Sequence, residues 1–193
     1  VLLFTLFLTS CHAASGEAEI TDVEVDKKYL SERSEQKGNV ETFSYETQDY
    51  VFNSGRKEEK KCAVYLPYGY DSGTQYNILY LLHGTDKQSV NHLDTWLENI
   101  KARVRLDNLI YYKVIDPLIV VCPTFYSYGL FGDDNIKNIK DYSPVKENSN
   151  KNFISELRYD IVPSVEAKYA TYSVTQDKLG LSSSRDHRAI AGL

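Results

Sequence analysis

Apolar and polar residues start to alternate at Val40. The stretch VETFSYET and the residues around DYVFN place alternate side chains on one face, which predicts half-buried strands. NSGRKEEKK then interrupts the pattern and reads as a turn, with Lys57–Lys61 a solvated run of mixed sign. CAVYLP resumes a strand, and YGYDSGTQ is a polar loop. NILYLLHG, Asn77 to Gly84, is almost continuously apolar, as in a strand covered on both faces. Leu93, Trp96, Leu97, Ile100 and Val104, with Leu109 further on, recur at helical spacing and predict one amphipathic helix. Asp116–Pro117 ends that pattern, and LIVVCPTF is a second buried strand. Residues 126–150 read as a long surface loop. Phe153, Leu157, Ile161, Val165 and Tyr169 fall at strict steps of four, predicting a second helix that Pro163 should kink. LGLSSSRDH reads as a loop and RAIAGL, Arg188 to Leu193, as a third short strand.

Strand, helical crossover, strand, helical crossover, strand is the rhythm of an α/β domain with a parallel sheet. Such a sheet brings the C-terminal ends of its strands to one edge, where ligands bind. The residues to inspect are therefore His83–Gly84–Thr85, Pro123–Thr124–Phe125 and whatever follows Leu193.

Composition narrows the classes. The chain has 193 residues, 42% hydrophobic and 25% charged, enough for one globular domain. A net charge of −5 without a basic run argues against a nucleic-acid partner. The 16 tyrosines chiefly suit the strands and half-buried helix faces of any such domain, with a carbohydrate- or aromatic-binding surface as the alternative. Residues 1–10, VLLFTLFLTS, are too short to span a bilayer and resemble the apolar core of a partial signal peptide, the translated start being absent. LTSC, Leu8 to Cys11, looks like a bacterial lipobox, with Cys11 lipidated. Cleavage near Ala13 or Ala14 by an ordinary signal peptidase is the alternative. Both imply export, to the cell surface or the medium, with any membrane attachment made through Cys11. Residues 11–39 are polar and read as a flexible lead-in to a domain over 40–193. Cys62 and Cys122 lack metal-ligand spacing, so no metal is implied, and each lies in an apolar run that predicts a buried thiol.

Four stretches together resemble the feruloyl-esterase, esterase D-like branch of the α/β-hydrolases. They are YLPYGYD (Tyr65 to Asp71), NILYLLHG, ELRYDIVPSVEAKYATY (Glu156 to Tyr172) and SRDHRAIAGL (Ser184 to Leu193). The resemblance implies the N-terminal part of an α/β-hydrolase fold: a mostly parallel central sheet with flanking helices, truncated after the nucleophile-elbow strand. Gly192 and Leu193 would be the first letters of G-L-S-x-G, with the nucleophilic serine the next residue. A small residue at a buried strand end is also what plain packing would select.

The same resemblance assigns the loop after the third strand to the oxyanion hole. Its residues are His83 and Gly84, with the Thr85 backbone N–H as donor. Where relatives carry further glycines, this chain has Thr-Asp-Lys-Gln. In this fold the acid and the base follow the serine, so His83 is expected to orient its loop and His187 to be structural. Tyr126, Tyr128 and Phe131 could stack on a phenolic acyl group or a sugar, or pack as a lid. The fold also sets the Cys62 strand antiparallel beside the Cys122 strand, near enough for a disulfide to be considered.

The implied activity is serine carboxylic ester hydrolysis, releasing feruloyl or acetyl groups from plant xylan without a cofactor. An acyltransferase of the same fold, or a non-catalytic carbohydrate-binding or scaffold protein, are the alternatives. Because the triad is expected beyond Leu193, the 193-residue chain itself is expected to be inactive.

Overall fold

A computed structural model describes residues 25–33, 35–50, 55–84, 95–124, 151–175 and 177–192. Strands Asn39–Gln48 (β1), Lys57–Leu66 (β2) and Asn77–Leu82 (β3) come first, then helix Ala102–Tyr111 (α1) and strand Leu118–Pro123 (β4). Helices Val162–Lys168 (α2) and Lys178–Ser183 (α3) precede strand Arg188–Gly192 (β5). The sheet order is β1-β2-β4-β3-β5. β2 lies antiparallel between β1 and β4, whereas β4, β3 and β5 run parallel. This is the expected α/β architecture, with a hairpin added at one side.

Period-two alternation splits the sheet into two cores. Ile119 and Val121 of β4 face one side with Cys62, Val64, Ile78 and Tyr80, and there meet Phe153, Leu157, Ile161 and Val165. Val120 and Cys122 face the other side, with Tyr65, Leu81, Trp96 and Leu97, against α1. The two cysteines thus sit on adjacent strands, Ala63 opposite Cys122, but point to opposite faces. Both thiols are free and buried.

Three local expectations are corrected. KEEKK is part of a strand, because β2 begins at Lys57 and pairs with β1 along its length. Lys60 takes an inward position there, and its Nζ lies 2.7 Å from Glu156 Oε1, so a buried charge hides the alternation. The first helix is broken. A π-helical turn, Thr95–Asn99, is followed by Lys101 at φ 58°, and α1 starts anew, leaving Ile100 exposed. Part of LGLSSSRDH is helical, because the Asp177 side chain caps α3 by accepting the Gly180 N–H at 2.8 Å. Ahead of β1, Tyr29, Ser31 and Arg33 contact α1. Asn108 of α1 donates to Tyr29 O and Ser31 O at 3.2 and 2.8 Å, and Arg33 lies over the Tyr111 ring.

Pro163 does not break its helix. Helical turns over 151–156 run through a π-helical turn, Leu157–Ile161, into α2. The Val162 N–H reaches Leu157 O, so the extra residue is accommodated just before the ring that cannot donate. Strict four-residue spacing drifts by about 40° per step on an ordinary α-helix. The wider turn offsets that drift, and all five apolar positions from Phe153 to Tyr169 stay buried.

Candidate active site

β3, β4 and β5 are parallel neighbours, so their C-terminal ends share one edge of the sheet. Gly192 ends β5 directly opposite Leu82, the last residue of β3. A Cβ at position 192 would lie 2.5 Å from Leu82 O and 2.8 Å from Leu82 Cβ. The close approach of two backbones, not an unusual φ, makes glycine necessary here. Leu82 O is itself held, accepting the Trp96 indole N–H at 3.0 Å. Trp96 is otherwise a core residue, as its place on the apolar stripe predicts.

His83 and Gly84 leave β3 at the same edge. The His83 ring is buried, with Nδ1 2.7 Å from Gly84 O and Nε2 3.1 Å from Thr124 Oγ1. A carbonyl oxygen only accepts, so Nδ1 carries a proton. In the neutral ring Nε2 then accepts from the Thr124 hydroxyl, and the imidazole fastens the end of β3 to the end of β4. Both nitrogens are engaged in holding backbone and strand ends together.

β5 is anchored from beneath. Arg188 grips Glu166 of α2 with two bonds of 2.6 Å, and Tyr80 of β3 donates to the same carboxylate at 3.1 Å. This fork ties the strand that ends at Gly192 to the helix packed on the sheet. Burial, together with the Glu166 charge, pushes the Tyr80 phenol well above its ordinary range.

Of the residues singled out by sequence, the structure brings together His83, Gly84 and Gly192. Thr85, Leu193, Tyr126, Tyr128, Phe131 and Cys11 lie outside the described residues. His187 belongs to the opposite edge: its ring stacks on Tyr172 at 3.5 Å, and Nδ1 lies 2.8 Å from Asn77 Oδ1 at the start of β3. Arg185 and Asp186 form an exposed pair at 3.4 Å, of small energetic weight. Thr124 is the partner that sequence reasoning missed. Strand-end logic marks its position, but no spacing rule joins it to a histidine 41 residues away.

Comparisons with known proteins identify the family and the fold. Residues 54–192 match the model of the family described as "Putative esterase". The chain belongs to that esterase family. It is 36% identical over 141 residues to endo-1,4-beta-xylanase Y of Acetivibrio thermocellus, a match covering 72% of this chain and 11% of that protein. Among solved structures it resembles a mutant of the feruloyl esterase module from Clostridium thermocellum complexed with sinapinate. That match has a TM-score of 0.67 and 30% identity, over 92% of this chain and 52% of the other. A ferulic acid esterase from Anaeromyces mucronatus, in complex with ferulic acid, shares the fold, with a TM-score of 0.65 and 23% identity over 92% of this chain and 56% of that one. The chain thus spans about half the length of these esterase structures.

Proposed function

We propose that the whole protein is a serine carboxylic ester hydrolase that releases feruloyl, or alternatively acetyl, groups from plant xylan. The observation that carries the reading is the meeting of Gly192 with Leu82 beside the His83–Gly84 loop. It is supported by membership of the esterase family and by relatives whose structures hold ferulic acid or sinapinate. The similarity to a xylanase supports xylan as the polymer.

In this reading a serine following Leu193 attacks the ester carbonyl. A histidine takes the serine proton and returns it to the leaving alcohol, and a carboxylate orients that histidine. Water then hydrolyses the acyl-enzyme. Negative charge on the carbonyl oxygen is met by two backbone N–H groups, one after the serine and one from Thr85. Export, with Cys11 lipidated or the leader removed, would put the enzyme where plant polymer is degraded.

The test is the complete reading frame, expressed and assayed on methyl ferulate and on acetylated xylan. Release of ferulate that disappears on replacing the serine after Leu193 by alanine is expected. A residue other than serine at that position, or no hydrolysis of either ester, would refute the proposal. Transfer of the acyl group to a sugar with little hydrolysis would instead identify an acyltransferase.

A further inference from the structure

We propose that Thr124 is a positioning residue for ester hydrolysis, acting through His83 to aim the peptide that follows Gly84. The inference rests on the esterase reading above and names a residue which that reading does not use. Thr124 follows β4 directly, is fully buried, and places Oγ1 3.1 Å from His83 Nε2. At the other side of the ring, Nδ1 lies 2.7 Å from Gly84 O.

The physical chain has three links. A hydroxyl that donates to Nε2 favours the imidazole tautomer protonated at Nδ1. That proton is the one Gly84 O accepts, so the carbonyl is drawn toward His83. In a trans peptide the C=O of one residue and the N–H of the next lie in one plane and point in opposite directions. Holding the Gly84 carbonyl toward His83 therefore fixes the plane of the peptide bond that Gly84 begins, and with it the direction in which that bond's N–H can point. That N–H is the proposed oxyanion donor. A donor aimed before the substrate arrives needs no reorganisation when charge develops, which is where such groups act most strongly. Gly84 makes the aim adjustable, because a residue without Cβ does not fix its own peptide orientation. This chain lacks the further glycines expected in that loop, and a rigid hydrogen-bonded ring at its start supplies a different means of setting its direction.

Two measurements on the complete protein decide the inference. With ¹⁵N-labelled histidine, His83 is expected to show the neutral tautomer protonated at Nδ1, its signals identified by their loss in His83→Asn. In Thr124→Val the Nε2 resonance should shift as its donor is removed. With methyl ferulate, Thr124→Val should lower kcat about tenfold, less than the roughly 10²–10³ lost when a whole oxyanion donor is deleted. KM should stay within about twofold, as expected for an interaction realised in the transition state. Affinity for an aryl boronic acid, which mimics the tetrahedral intermediate, should fall in parallel with kcat. Thr124→Ser keeps the hydroxyl and should restore both. If Thr124→Val does not fold, the wild-type tautomer and Thr124→Ser remain decisive. A wild-type His83 protonated at Nε2, or full activity in Thr124→Val, overturns the inference while the esterase reading stands. No turnover by the wild type overturns that reading, and the positioning role given to Thr124 with it.

Discussion

Lys60 and Glu156 form a buried ion pair across 96 residues of sequence, with Nζ 2.7 Å from one carboxylate oxygen and 3.0 Å from the other. Tyr45 donates to the same carboxylate at 2.8 Å, so one helix side chain ties β1 and β2 to the layer above them. Burial raises the Glu156 carboxyl above its usual range, and the Lys60 ammonium opposes that shift.

Removing one partner of this pair strands the other. Glu156→Ala should destabilise the fold by about 3–5 kcal/mol, because an ammonium is left buried without its counter-charge. The double variant Lys60→Met with Glu156→Leu should lose much less than the two single changes together. Urea unfolding of Lys60→Met, Glu156→Leu and the double variant checks this, and additive losses would refute it.

Gly192→Ala tests the contact between strands. Its Cβ would press on Leu82 O, the acceptor of the Trp96 indole. A loss of about 1–3 kcal/mol is expected, as for overpacking in a rigid site. The chain has one tryptophan, so its fluorescence reports on this place alone. A red-shifted emission should accompany the loss, and an unchanged spectrum and urea midpoint would contradict the prediction.

The thiols give a pH prediction. Burial pushes Cys122 up to about 12, and Cys62 higher still. The buried phenols of Tyr65, Tyr80 and Tyr169 are also raised, mainly by burial. Each of these acids ionises more readily in the unfolded chain. Their contribution to stability is therefore complete below about pH 8.5, the ordinary thiol value, and falls as pH rises toward the folded-state values. The melting temperature should decline steadily from about pH 9 to pH 11. In a Cys11→Ser variant, a thiol reagent at pH 8 should label Cys62 and Cys122 only after unfolding. Rapid labelling of the native protein would contradict their burial.

Replacing Arg188 by lysine keeps the charge and loses the two-bond fork to Glu166. A lysine presents a single point of donation, so the change should cost about 1–3 kcal/mol despite its apparent conservatism. An unchanged urea midpoint for Arg188→Lys would show that charge alone holds β5.

The buried strands NILYLL and LIVVCP were legible because continuous apolar runs have few other uses. The helix from Phe153 to Tyr169 was legible because five apolar residues recur on one face, although its π-helical turn appears only as an unusually strict step of four. Lys57–Lys61 was misread because Lys60, a charged residue, occupies a core position that only Glu156 and Tyr45 make tolerable. At the candidate site, Gly192 and the His83–Gly84 pair could be picked out by their places at strand ends. Thr124 could not be matched to His83, since hydrogen-bond partners from different strands leave no spacing in the chain.

The sequence by itself determined the α/β class, the buried strands and the edge that carries the candidate site, because burial imposes periodicities of two and near four on local stretches. Only the tertiary structure decided which strands are neighbours, that Gly192 faces Leu82, and that Thr124 reaches His83. Those relationships depend on distances between residues remote in the chain. They become fixed only when the sheet is assembled and its two cores are packed.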